Sequence, residues 1–178
     1  MIWDASQHRP SILSTVVGGS ALGLLILFAQ PVSADTLPQV VFGKVTKVIR
    51  CEVVVVQFRR KDLPIRLNGV ECPEKGQPYF KAAHRYVAFM TEGLEVTVRV
   101  VTSDKNGTLI GDVLLPDGRT LNYLIIEEGL AWWDRSSHSD RTLAEVEELA
   151  QASRRGLWED PYPIPPWEWR KGRRNPEP

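Results

Sequence analysis

Regular patterning begins at Val40. From there to Val56 valine and isoleucine predominate, with polar interruptions at Lys44, Thr46 and Lys47, and the segment closes in the continuous run Val53 to Val56. Short runs of β-branched residues read as strands, here two of them joined near Arg50 and Cys51. The polar stretch Arg59 to Asp62 precedes a third strand, Leu63 to Val70. A fourth, Leu94 to Thr102, alternates valine with Glu, Thr and Arg, and Asn106-Gly107 separates it from a fifth, Leu109 to Leu115. Asn-Gly between two strand patterns predicts a hairpin with a type I′ turn, because both residues tolerate positive φ.

Three segments carry helical spacing instead. The first runs from about Tyr79 to Met90, with Ala83, Tyr86, Val87 and Met90 on one face before Gly93. The second, Leu121 to Glu128, stops at Gly129. The third opens on the capping-box pattern Thr142-x-x-Glu145, places Leu143, Val146, Leu149 and Ala150 together, and ends at Arg154, Arg155 and Gly156. The tail Asp160 to Trp169 holds four prolines and two tryptophans, which predicts an extended segment laid on the surface. Strands come first and helices are interspersed late, without the alternation of a parallel sheet. The expected class is mainly β with α (α+β): a small five-stranded barrel with three helices.

Ahead of this pattern, residues 11 to 29 form an apolar run, SILSTVVGGSALGLLILFA, behind a short polar start and before Pro31, Val32, Ser33, Ala34 and Asp35. That is the layout of a secretory signal peptide, with small residues at Val32 and Ala34 where cleavage needs them. The expected organisation is a signal peptide at 1–34, a globular domain at 35–158 and a Pro/Trp-rich, basic tail at 159–178. An uncleaved N-terminal membrane anchor is the other reading of the same run, since the n-region sets only Arg9 against Asp4. Either reading predicts export, to the periplasm or beyond the cell. With 22 basic and 22 acidic residues, no global field attracts nucleic acid. The basic cluster Arg170, Lys171, Arg173 and Arg174 reads first as a solvated end.

The segment Arg66-Leu-Asn-Gly-Val-Glu-Cys-Pro-Glu74, then Lys-Gly-Gln-Pro-Tyr79 and a helix with Lys81, Ala82 and Ala83, resembles the signature region of staphylococcal-nuclease-like (thermonuclease) domains. The similarity extends through Gly43-Lys44-Val45, Leu121-Asn122, Gly129-Leu-Ala-Trp-Trp133 and Arg154-Arg-Gly-Leu-Trp158. The resemblance implies an oligonucleotide-binding barrel of five strands with three helices. It also implies calcium-dependent phosphodiester hydrolysis: two aspartates and one backbone carbonyl on the ion, a glutamate for the attacking water, and two arginines on the phosphate. Calcium prefers hard oxygen ligands, and arginines offset charge that grows in the transition state.

On that comparison Arg66 stands as the first phosphate arginine and Glu74 as the catalytic glutamate. The bland reading is an Arg66–Glu74 surface ion pair. The two metal-binding aspartates are replaced by Glu52 and Glu71, each moving its carboxylate by roughly 1 to 1.5 Å, a displacement that costs catalytic sites activity. Cys72 takes the position that lends a backbone carbonyl. The turn Arg50 to Val53 has lost the residues that favour positive φ. Where the family has its second phosphate arginine, this chain has Thr108, with Lys105 nearby as a poor substitute for a bidentate fork. The resemblance therefore implies calcium bound weakly or not at all, and nuclease activity weak or lost. Cys51 and Cys72 fall on the two segments that meet at the metal in the family. An exported chain invites a disulfide between them, and two buried free thiols are the competing reading.

Other candidates have bland explanations. His84 lacks a second ligand at zinc spacing. Trp132, Trp133, Trp158, Trp167 and Trp169 are expected to cover the core before they are expected to stack on bases. Ser136, Ser137 and His138 lack a nucleophile elbow. Two functions compete: a weakened exported nuclease acting on single-stranded DNA or RNA, and a non-catalytic module that binds nucleic acid or an envelope protein. In either case membrane association is expected only through an uncleaved N-terminal segment.

Overall fold

The computed structural model describes residues 38–136 and 141–174. The segment read as a signal peptide, together with Ser137 and His138, lies outside the described residues. Five strands, β1 (Val40–Arg50), β2 (Val53–Phe58), β3 (Lys61–Leu67), β5 (Glu95–Ser103) and β6 (Leu109–Leu114), close into a barrel in the order β1-β2-β3-β6-β5. Neighbours pair antiparallel except β3 with β6, which pair parallel at Ile65–Leu109 and Arg66–Ile110. Closure removes the sheet edges that a half-covered sheet would leave open. A separate two-stranded ribbon joins β4 (Val70–Glu71) to β7 (Trp132–Trp133).

Alternation along the strands decides which face is inside. Val41, Val45, Val54, Val56, Ile65, Leu67, Val96, Val98 and Val113 are buried in the barrel. Helices α1 (Phe80–Thr91), α2 (Leu121–Glu127) and α3 (Thr142–Ala152) contribute Ala83, Val87, Leu121, Ile125 and Leu143 to the same cluster. This is the α+β barrel with three helices that the patterning predicts.

Four local expectations are corrected. Asn106-Gly107 does not make a type I′ turn: only Gly107 has positive φ, at 79°. Gly107 N–H bonds to Asp104 O at 3.0 Å and Asp104 N–H to Thr108 O at 2.9 Å, the pattern of a type I-like turn closed by a glycine bulge. Asp104 Oδ1 stabilises it by accepting from the N–H groups of Asn106 and Thr108. Positive φ at both turn residues appears instead at Arg59 and Arg60, 48° and 65°, between the paired Phe58 and Lys61. No glycine marks that turn, and Arg59-Arg60 carries no turn signal of its own.

The third helix has Arg141, not Thr142, at its N-cap, with no side-chain cap bond from Arg141, and Thr142 is its first helical residue. Its buried face is Leu143, Glu147 and Ala150, while Leu149 is exposed. Finally, the tail is not simply extended. A single 3-10 turn spans Gly156–Glu159, and a short helix α4 spans Pro166–Arg170. Pro166 occupies its first helical position, where the missing N–H costs nothing and the fixed φ is already helical.

Glu147 is the polar group the helix pattern missed. Its residue is 2% exposed. Oε1 accepts the Trp133 N–H at 3.0 Å and Oε2 pairs with Arg135 at 2.7 Å. Burial pushes its carboxyl pKa up, against the opposing pull of the Trp133 hydrogen bond and of Arg135. Because the folded value is raised, its contribution to stability is full below the ordinary glutamate value, about 4.3. That contribution is lost as pH rises through the folded value. Glu147→Gln keeps an oxygen for Trp133 N–H and removes the titration. In urea melts taken from acid to neutral pH, stability of the wild type should decline relative to this variant. Parallel curves would show that burial does not control this carboxyl.

Candidate active site

The loop after β3 sets the site. Asn122, at the start of α2, is buried; its Oδ1 accepts the Val113 N–H at 3.0 Å and its Nδ2 donates to Asn68 O at 2.9 Å and Gly111 O at 3.3 Å. The chain then turns at Gly69 (φ 70°) into β4, where Glu71 pairs with Trp132 in the ribbon. Glu147 supports β7 from behind through Trp133, so α3 helps fix Glu71 at one remove.

Arg66, at the end of β3, places Nη2 at 2.9 Å from Glu71 Oε1. Glu71 Oε2 lies 3.3 Å from Arg170 Nη1, and the same nitrogen is 2.7 Å from Glu74 Oε1. The bland alternative, an Arg66–Glu74 ion pair, is not what forms: Arg66 pairs with Glu71 and Glu74 pairs with Arg170. Glu71 joins Arg66 to Arg170, and Arg170 joins Glu71 to Glu74. The guanidinium of Arg170 is held protonated more firmly than usual, chiefly by its hydrogen bond to Glu74. The solvated-end reading fails for Arg170. Its neighbours are engaged outside the site: Lys171 pairs with Glu168 at 2.9 Å and Arg174 stacks on Trp169 at 3.5 Å.

Glu52 sits in the two-residue turn between β1 and β2, 8% exposed and paired with Arg50 at 2.7 Å. That turn is built without positive φ, behind an irregular register between Val48 and Arg50. Burial pushes the Glu52 carboxyl pKa up, Arg50 and Arg66 pull it down, and Glu71 adds to the rise. Glu52 and Glu71 are thus close enough to sense each other. A disulfide joins Cys51 to Cys72 with Cα atoms 6.1 Å apart, tying the Glu52 turn to the segment between Glu71 and Glu74. The two sulfurs lie within 4.8 Å of a Glu52 carboxylate oxygen. As a disulfide they offer no thiolate to a metal.

The oxygen donors suit a hard cation in kind: Glu52, Glu71 and the Cys72 carbonyl would hold calcium. Each of the two carboxylates already has a guanidinium partner, so an ion there competes with Arg50, Arg66 and Arg170. Thr108 lies on the β5–β6 hairpin, its N–H held by Asp104. Arg66 pairs with Ile110 and Ile65 with Leu109 in the β3–β6 ladder, which places the start of β6 and the hairpin before it near the Arg66 side of the site. Lys105 is exposed at its tip. His84 packs its ring nitrogen 3.3 Å from Val48 O. Trp132 is buried edge-on to Trp158, with ring centroids 5.9 Å apart.

The tail was the part of the site that sequence reasoning missed. Gln77 Nε2 donates to Ile164 O at 2.9 Å and its Oε1 accepts the Glu74 N–H. Tyr79 Oη donates to Glu159 at 2.9 Å. The loop carrying Glu74 is thereby tied at two points to the segment that carries Arg170. The signal available in sequence was the run Trp167-Glu-Trp-Arg170 itself, where two aromatic side chains precede a basic one.

The barrel brings Arg66, Glu71 and Glu74 of one segment together with Arg170 of the tail, and comparison with known proteins gives the family. Residues 64–160 match the model of staphylococcal nuclease homologues. An uncharacterized endonuclease of Escherichia coli O157:H7 is 33% identical over 148 residues, spanning 83% of this chain and 94% of that protein. Micrococcal nuclease of Shigella flexneri is 29% identical over 165 residues, 87% of this chain and 92% of its own. Staphylococcal-like nuclease CAN1 of Arabidopsis thaliana is 37% identical over 123 residues, 69% of this chain but 36% of its own length. The chain belongs to the staphylococcal nuclease family, a family of nucleic-acid hydrolases.

Proposed function

We propose that this protein is an exported nuclease that hydrolyses phosphodiester bonds of single-stranded DNA or RNA with slow turnover. The observation that carries the reading is the chain of charges Arg66–Glu71–Arg170–Glu74, which brings two cations and a candidate base to one place. Glu74 takes a proton from water as the water oxygen bonds to phosphorus. The ester P–O bond breaks with its electron pair on the leaving oxygen, which then takes a proton from solvent. Arg66 binds the phosphate oxygens and offsets the negative charge that grows on them. Calcium, held weakly by Glu52 and Glu71, would add polarisation of the phosphoryl oxygen. The Cys51–Cys72 disulfide and the apolar run at 11–29 support work in an oxidising compartment, the periplasm or outside the cell.

Cleavage of labelled single-stranded DNA by the purified protein, in millimolar calcium and in chelator, tests this. Arg66→Ala should lower the calcium-dependent rate by about 10²- to 10³-fold, the range for loss of one transition-state donor. Equal rates for wild type and variant would assign the cleavage to a contaminant. Binding without any cleavage would make this a non-catalytic member of the family.

A further inference from the structure

Resting on the nuclease reading above, we propose that Arg170 is the second phosphate-binding cation of this site. It is delivered by α4 in place of the guanidinium that the β5–β6 hairpin lacks at Thr108.

The geometry of Glu71 is the first support. Arg66 and Arg170 hold its two carboxylate oxygens separately, at 2.9 and 3.3 Å. A phosphodiester is likewise an anion with two outward oxygens, and guanidinium forks suit both groups. Two cations that share a carboxylate in the resting protein stand where they can share a phosphate.

Second, Arg170 meets the carboxylates through Nη1, and its side chain is 49% exposed. It borders an open cleft of about 300 Å³ with Glu71, Asp134, Arg135, Ser136 and Trp167. A ligand can therefore reach the guanidinium. Third, the helix that carries it is anchored. Gln77 and Tyr79 bond to Ile164 and Glu159, and the Trp169 ring covers Gly76, where a Cβ would sit 3.7 Å from Cζ2.

The resting contact with Glu74 then has a use. When a phosphate takes Arg170 from Glu74, one anion replaces another at the guanidinium and the carboxylate is released to accept a proton. Substrate binding and base activation become one event. An autoinhibitory role for the same contact requires the opposite result: removing Arg170 would strengthen binding and speed cleavage.

The test measures anisotropy of a fluorescein-labelled 12-nucleotide single strand, in chelator and over a salt series, followed by cleavage in calcium. Arg170→Ala should weaken binding about fivefold to tenfold and reduce the salt slope by about 0.7, the value for one phosphate contact on a single strand. Its cleavage rate should fall at least about 10²-fold. Lys171→Ala, on the neighbouring position and paired with Glu168, should leave both unchanged. Adding Thr108→Arg to Arg170→Ala should restore binding and part of the rate. Thermal unfolding checks that the variants are folded. Arg170→Lys covers the case in which alanine is not tolerated, and should keep most of the binding while losing rate.

Unchanged or tighter binding by Arg170→Ala, or faster cleavage, would overturn the assignment while leaving the nuclease reading intact. A wild type that neither binds nor cleaves the strand removes the nuclease reading, and this inference with it.

Discussion

Replacing Glu74 by glutamine should reduce calcium-dependent DNA cleavage by about 10²- to 10⁴-fold, the range expected when a positioned general base is lost. The change is isosteric and leaves the Gln77 contact to the Glu74 N–H in place. The loop should therefore hold its position, and Arg170 keeps Glu71 as a partner. Binding of single-stranded DNA should be preserved or modestly strengthened, since one negative charge leaves the phosphate site. Single-turnover cleavage and anisotropy on the same preparation separate the two effects. A variant that cleaves within a few-fold of wild type would move the base elsewhere, with Glu71 the next candidate by position.

The second large effect concerns stability. Reducing the Cys51–Cys72 bond, or replacing both cysteines by alanine, should destabilise the domain by about 3 kcal/mol, from the loop-closure entropy of a crosslink of this span. The sequence separation is 21 residues. For a chain of this size that corresponds to a fall in unfolding temperature of about 6 to 12 °C. The bond also joins the turn bearing Glu52 to the segment between Glu71 and Glu74, so activity should fall in reductant below the unfolding transition. Scanning calorimetry with and without reductant, alongside the cleavage assay, checks both. An unfolding temperature unmoved by reduction would mean that packing of the two buried cysteines, not their covalent bond, holds these segments.

Much of this architecture was legible in the chain itself, for physical reasons. Valine-rich runs of period two can bury one face only in a sheet, and each barrel strand lies close to where that pattern placed it. The helices of α1 and α2 were marked by apolar spacing and by Gly93 and Gly129. Arg66, Glu71 and Glu74 were visible because they share the one short segment that carries the family resemblance. The failures concern features decided by distant partners. Glu147 looks like a surface glutamate until Trp133 and Arg135 are brought to it. The turn at Arg59-Arg60 takes positive φ because the barrel register demands it at those positions. Arg170 lies 96 residues from Glu74 in sequence, and no local pattern announces which carboxylate a tail will meet.

The two hydrogen bonds between the Glu74 loop and the tail, Gln77 to Ile164 and Tyr79 to Glu159, bear on where this protein can be cut. A chain shortened to the end of the family match at residue 160 would still contain every barrel strand and the three long helices, and should fold. It would lack Arg170, and the amide of Gln77 would lose its acceptor beside the residue proposed to do the chemistry. Boundaries drawn by recognisable fold and boundaries drawn by working site are then different boundaries. For this protein the smallest piece that can be expected to act on a substrate is longer than the smallest piece that can be expected to fold.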